Sequence, residues 1–174
     1  MTNFKKCDKL ISLLKGTSNV IIIQLTQNKT ALIDDCDLEF AGYAWQYDQH
    51  TGYAKRKFTV DGKRVTKYLH RLIYEKHHHV TLLKDELVDH RNNNRLDCQL
   101  SNLRLANHSQ NSCNRPSSGN KTGFKGVYQV GLQFEARVCY EGVTHKTEKY
   151  PTAELAFIAR MTKAQEIQGG FAHD

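Results

Sequence analysis

Residues 87–111, LVDHRNNNRLDCQLSNLRLANHSQN, hold six asparagines, two histidines and an Asp-His pair inside what is otherwise strand patterning. Little freedom is left to such a stretch. ELVDH is a short strand ending in Asp89 and His90, which as strand neighbours point to opposite sides of the backbone. RNNNRLDCQLSN is a loop whose Asn and Asp side chains bond nearby backbone, and LRLA is a second brief strand. Asn107 then reads as an N-cap with Gln110 in the capping-box position, opening a helix that carries His108, Asn111 and Arg115 on one face. A strand, loop, strand and helix of this size bring Asp89 near Asn111. Both are hard oxygen donors suited to magnesium or manganese rather than zinc.

The charge is concentrated around this stretch. Residues 1–52 carry five Lys/Arg against six Asp/Glu, residues 53–115 thirteen against six, and residues 116–174 seven against six, so the middle segment holds all of the net +7. Such a segment favours a polyanion, because each phosphate it neutralises releases counterions. The bland alternative is a merely soluble basic surface. No run of about 20 apolar residues occurs, which gives no expectation of a membrane partner. Five scattered cysteines without a C-x-x-C pair read as reduced thiols in a cytoplasm, either bacterial or that of a phage-infected host.

Before the middle segment, VIIIQLTQNKTALID is two β-branched runs joined through TQNKT, a hairpin signal. Phe4–Leu14 fits a short helix or an ordered tail only loosely. GYAKRKFTVDGKRVTKYLH repeats the hairpin with Asp61-Gly62 as its turn. Its strands carry Lys55, Arg56, Lys57, Lys63, Arg64 and Lys67, a ribbon suited to a phosphate backbone. LHRLIYEKHH is helical in pattern. The triplet His77–His79 invites a metal reading, but three consecutive helical residues point about 100° apart and cannot all face one ion; a solvated helix end is the weightier reading. After NRPSSGNKTG, a Pro/Ser/Gly boundary, GFKGVYQV, QFEARVCY and VTHKTEKY alternate as a three-stranded antiparallel meander. Thr152 caps a helix, AELAFIARMTKAQEIQ, ended by Gly169-Gly170 and carrying small residues that let it lie close against the sheet. The expected architecture is α+β, with a β-rich leader at 1–52, a basic ribbon and core at 53–115, a linker at 116–122 and a sheet-plus-helix unit at 123–174.

The run HRLI…VDHRNNNRLDCQLSNLRLANHSQNSCN, His70 to Asn114, resembles the HNH or ββα-metal nucleases, specifically the phage and intron homing-endonuclease branch that begins with Asp-His. The leader ALIDDCDLEFAGYAWQYDQHTGYAKRKF is similar to the small β-rich segment that often precedes this core. The resemblance implies that His90 is the general base activating water, that Asp89 and Asn111 bind Mg2+ or Mn2+, and that Asn102 holds the loop orienting His90. Other branches carry a histidine ligand where Asn111 stands, so few protein ligands and weak, water-rich ion binding are implied. His70 supports the core or approaches a phosphate. Arg104 and Arg115 are phosphate or leaving-group contacts, or simply surface cations.

GFKGVY, FEARV, YPTAELAFIA and GGFA make residues 123–172 resemble the Apetala or ethylene-response-factor DNA-binding domain, whose exposed sheet face enters the major groove. Arg160-Met161 departs from the usual aromatic-Asp pair. Candidate DNA-facing residues are Lys121, Lys125, Tyr128, Gln133, Arg137 and Lys146, although alternation alone does not say which face is free.

The leading expectation is a site-specific DNA endonuclease of homing type. It would hydrolyse double-stranded DNA with one divalent ion and a histidine base, leaving 5′-phosphate and 3′-hydroxyl ends. With one site per chain, a monomer nicks one strand and a double-strand break needs a homodimer or two events. The alternatives are a DNA-binding regulator on an inactive HNH scaffold and a structural-nucleic-acid or RNA-processing role, the latter disfavoured by the lack of aromatic stacking platforms beyond Tyr128 and Phe134.

Overall fold

The computed structural model describes residues 19–114 and 120–172. The expected helix over Phe4–Leu14, Arg115 and the linker residues 116–119 lie outside the described residues. Strands β1 (Val20–Gln24) and β2 (Thr30–Asp34) pair antiparallel, with Val20 opposite Asp34 and Gln24 opposite Thr30. Alternation buries Ile23, Ala31 and Ile33 on the shared inner face. A 3-10 segment, Asp35–Gly42, follows, and its Phe40 carbonyl accepts a 2.8 Å bond from the buried indole N–H of Trp45. The second sheet is β3 (Gln46–Tyr47), β4 (Ala54–Val60) and β5 (Lys63–Tyr68), in that order. Asp61 and Gly62 turn the β4–β5 hairpin with φ of 49° and 72°, the doubly positive turn that matches strand twist.

LHRLIYEKHH forms helix α1 (Leu69–His78), as its pattern implied. Leu69, His70 and Ile73 face the interior, so one helical stripe completes the core. Helix α1 leads into β6 (Leu87–His90), which pairs antiparallel with β7 (Leu103–Ala106), and α2 (His108–Cys113) follows. Ile33, Trp45, Leu69, Ile73, Val88 and Leu103 belong to one apolar cluster, so the leader and the β6–β7–α2 unit share a core.

The leader also shapes the Asn-rich loop between β6 and β7. Leu32 N–H donates to the Leu96 carbonyl and Cys98 N–H to the Leu32 carbonyl, both at 2.8 Å. The Asp34 carboxylate accepts from Leu100 N–H at 2.8 Å and from Gln99 Nε2 at 3.1 Å. The edge of β2 that β1 leaves unpaired is thereby occupied by the loop.

Strands β8 (Val127–Val130), β9 (Gln133–Tyr140) and β10 (Val143–Tyr150) form an antiparallel sheet in the order β10-β9-β8, packed on helix α3 (Ala153–Gln168). Thr152 caps α3 by accepting from Leu155 N–H. Val127, Ala136 and Ala156 are fully buried between the layers, with Phe124, Phe134 and Phe157 around them. Gly126 is required here: its φ is +67°, and a Cβ would lie 2.6 Å from the Arg137 carbonyl oxygen.

This unit docks on the preceding one. Glu141 N–H donates to Ser109 Oγ at 2.8 Å, Lys125 Nζ to the Cys113 carbonyl at 2.9 Å, and the Arg104 guanidinium to the Gly170 carbonyl. No helix among the described residues is long and apolar enough to cross a membrane.

Candidate active site

The site is assembled where β6 ends. Asp89 sits opposite Arg104 in the β6–β7 register. That register makes their contact a cross-strand pair: Arg104 Nε and Nη2 both lie 2.9 Å from Asp89 Oδ2, with both side chains buried. Arg104, expected at a phosphate or the leaving group, is therefore an internal partner of the carboxylate. Its guanidinium also stacks 3.7 Å from the Phe171 ring centroid, and the residue is 7% exposed.

Asn114 is a residue that the sequence reading missed. It is fully buried, and its Nδ2 donates to both Asp89 oxygens at 3.1 Å and to the His90 carbonyl at 2.7 Å. The available signal was its spacing, three residues beyond Asn111 in the same helical stretch. The capping box that starts this helix is present in full, Gln110 N–H donating to Asn107 Oδ1 and Asn107 N–H to Gln110 Oε1.

Asn102 is buried at the other end of the loop. Its Oδ1 accepts from Asn92 N–H at 3.0 Å, and its Nδ2 donates to Asn92 Oδ1 at 3.0 Å and to the Asp97 carbonyl at 2.8 Å. Asn92 and Asn94 accept from Asn94 N–H and Leu96 N–H in turn. The asparagine excess is thus largely spent on holding backbone, and Asn93 adopts the left-handed conformation that asparagine tolerates, at φ 60°.

Asp89, His90 and Asn111 border one cavity of about 280 Å³, together with His50, Thr51, Tyr53, Asn93 and Arg95. Although Asp89 and His90 are strand neighbours, the cavity wraps the end of β6 and reaches both. His90 is 3% exposed, and its Nε2 is buried without a hydrogen-bond partner. Its ring stacks on Tyr53, with centroids 5.7 Å apart, and lies 5.0 Å from His70. Burial, and then the charge of Arg95, push its pKa down to about 4. The imidazole is therefore neutral near pH 7, the state a general base needs.

His70 is likewise buried, and its Nδ1 has no hydrogen-bond partner. Burial first, then His90 and Arg71, hold its pKa well below the ordinary value. It supports the aromatic wall of the cavity rather than the surface. Arg95 was not singled out from the sequence, yet it brings the cavity's cation: Nη1 donates to the Thr51 carbonyl at 2.6 Å, and the guanidinium lies 5.3 Å from the Tyr53 ring centroid.

Asp89 and Asn111 supply a carboxylate and an amide oxygen, a hard donor set. Among the described residues Asp89 Oδ1 accepts only the Asn114 contact, so it keeps lone-pair capacity. The residues fit a hard divalent cation.

The expected nucleic-acid residues are distributed differently. On the β4–β5 ribbon, cross-strand pairing puts Arg56 beside Lys67 on one face, with Lys57, Thr66, Thr59 and Arg64 on the other. Lys55 is ion-paired to Asp48 at 2.9 Å, and Arg56 lies 4.0 Å from the Tyr43 ring centroid. The ribbon is basic on two faces rather than one. On the third sheet, Tyr128 pairs opposite Glu135 and Lys146 opposite Arg137. Tyr128, Gln133, Arg137 and Lys146 share the face away from α3, since the alternate residues Val127, Ala136 and Val138 are buried. Arg137 stacks on Tyr128 at 4.7 Å and pairs with Glu135 at 2.9 Å. Lys125 is turned to the Cys113 carbonyl instead, while Lys121 is exposed before β8.

Comparison with known proteins converges on this same stretch. Residues 67–113 match the HNH endonuclease family model. The matched segment runs from the end of β5 through α2 and contains Asp89, His90, Asn102 and Asn111. The chain is also 38% identical over 104 residues to an uncharacterized HNH endonuclease of Acanthamoeba polyphaga mimivirus, a match covering 60% of this chain and 54% of that protein. The chain therefore spans about half the length of that relative. No solved structure shows significant similarity to the chain.

Proposed function

We propose that the chain is a metal-dependent HNH endonuclease of site-specific, homing type acting on double-stranded DNA. The observation that carries this reading is the meeting of Asp89, His90 and Asn111 on one cavity, with the buried Nε2 of a neutral His90 free to take a proton.

In this mechanism His90 removes the proton from the water that attacks phosphorus in line. Tyr53 and His70 fix the ring and keep its surroundings dry, while Asn102 fixes the loop that follows it. Asp89 and Asn111 hold Mg2+ or Mn2+, which when bound supplies Lewis-acid stabilisation of charge on the phosphate and the departing 3′ oxygen. Arg104 and Asn114 orient the Asp89 carboxylate. Arg95 complements the phosphate charge at the rim. Products carry 5′-phosphate and 3′-hydroxyl ends, and a monomer cuts one strand, so a double-strand break requires a homodimer or two events. The exposed face of Tyr128, Gln133, Arg137 and Lys146 serves as the sequence reader in the Apetala-like manner, with Lys57 and Arg64, which share one face of the ribbon, contacting backbone.

A DNA-binding regulator on an inactive scaffold is the second reading, favoured by one observation: donors already engage both Asp89 oxygens. A nicking assay on a supercoiled library with Mg2+ or Mn2+ separates the two. Cutting by wild type that is lost in His90→Ala supports the nuclease, whereas tight binding without cutting by either protein supports the regulator. Cutting that survives in His90→Ala, or in excess chelator, removes the proposed mechanism.

A further inference from the structure

Away from the HNH cavity, the 3-10 segment Asp35–Gly42 meets the last turn of α1. Cys36, Asp37 and His77 each offer one ligand atom there, and the three atoms all lie within 4.8 Å of one another. His77 Nε2 is 3.0 Å from both Asp37 oxygens and 3.8 Å from Cys36 Sγ. Around a tetrahedral zinc ion, with Zn–S of about 2.3 Å and Zn–N or Zn–O of about 2.0–2.2 Å, ligand atoms sit roughly 3.3–3.6 Å apart. The observed separations bracket that range, so small side-chain rotations close the set.

We propose that Cys36, Asp37 and His77 form a second cation site, selective for zinc-like transition metals, that ties the 3-10 segment to the end of α1. Donor chemistry separates it from the HNH cavity: a sulfur and an imidazole favour zinc or cobalt, and the oxygen donors of Asp89 and Asn111 favour magnesium or manganese.

Charge supports a cation at this place. Asp37 is fully buried, with Glu39 beside it and Asp34 and Asp35 in the adjoining chain. The nearby ammonium is that of Lys76, which lies 2.7 Å from Asp37 Oδ1 and 2.7 Å from Glu39 Oε1, and donates to the Cys36 carbonyl. Lys76 takes Oδ1, and Oδ2 faces the imidazole of His77, the other proposed ligand. A divalent cation together with Lys76 balances a Cys36 thiolate, Asp37 and Glu39. Cys36 is exposed, which gives the ion a path in and leaves the fourth position to water. The histidine triplet then divides its work: His77 turns to Asp37, His78 stacks on Tyr74 at 4.0 Å, and His79 closes the helix in the left-handed conformation.

The test is titration of the full chain with Co2+ in the absence of DNA, read by absorbance. A sulfur-to-cobalt charge-transfer band saturating at one ion per chain, displaced by Zn2+, is expected. It should vanish in Cys36→Ser and weaken at least tenfold in affinity in His77→Gln. It should remain unchanged in Asn111→Ala, which removes a donor from the HNH cavity. Absence of the band in wild type overturns the site, as does its persistence in Cys36→Ser, which would assign the sulfur to another cysteine. Thermal melts in chelator check folding of each variant. Cys36→Ser is exposed and should melt with wild type, and the wild-type titration decides the matter even if a variant fails to fold.

Discussion

Replacing Arg104 by Met isolates what the buried ion pair contributes. The substitution keeps length and apolar bulk but removes two 2.9 Å contacts to Asp89 Oδ2, the bond to the Gly170 carbonyl, and the stacking on Phe171. Asp89 is 6% exposed, so its carboxylate would be left in the interior with only Asn114 as donor. Breaking a buried pair by removing one partner costs about 3–5 kcal/mol, because the surviving charge is uncompensated. At roughly 2–4 °C per kcal/mol for a chain of this size, the melting temperature in chelator should fall by roughly 6–20 °C. Arg104→Lys retains the charge and loses the planar fork, and should fall between the two. Adding Mg2+ or Mn2+ should narrow the gap, since an ion at Asp89 restores the missing countercharge. Differential scanning calorimetry with and without the ion reads both effects. A loss in chelator below about 2 °C would mean that the pair is not what holds the carboxylate. A gap that the ion leaves untouched would mean that Asp89 does not bind it.

Other expectations follow from the same neighbourhood. His90 has its pKa depressed from the ordinary 6.5 to about 4, so between those values the unfolded chain binds the extra proton. Stability is then full above about pH 6.5 and is lost as pH falls toward 4, by about 3 kcal/mol for this group, with buried His70 adding in the same direction; His90→Gln should flatten urea midpoints over that window. Asn114→Ala strips donors from Asp89 and the His90 carbonyl and should cost about 1–3 kcal/mol in urea unfolding while lowering kcat; unchanged values for both would show that the carboxylate positions itself. Gly126→Ala places a methyl 2.6 Å from a backbone oxygen at positive φ and should destabilise by at least about 2 kcal/mol, a neutral result contradicting the close packing of β8 on β9. Arg137→Ala should relax sequence preference by about 1–3 kcal/mol in competition binding, whereas a uniform loss across sequences would reassign it to phosphate.

Where the local chemistry was self-contained, the sequence sufficed. The N-cap Asn107 with Gln110, the Asp61-Gly62 turn and the alternating strands each depend on residues within a few positions, and each is present. Arg104 was read as a phosphate or leaving-group contact, or a surface cation, because its burial is decided by distant residues that no local pattern reports. In LRLA it alternates as an exposed strand residue would, and only the docking of Gly170 and Phe171 above it turns that face into an interior. The error has a physical content. A two-stranded hairpin has no third layer of its own, so the polarity of its faces is set by whatever packs on it from elsewhere in the chain. Here the covering comes from the C-terminal segment. The carboxylate that the HNH cavity depends on is therefore held, through Arg104, by the same unit whose free sheet face is proposed to read DNA. A disturbance at that unit can reach Asp89 through one guanidinium. If reading and cutting are coupled in this protein, deletion after Gln168 should weaken ion binding at Asp89 even on short DNA that never touches the sheet. Unaltered Mn2+ affinity in that truncation, with folding intact, would show that the two units act independently.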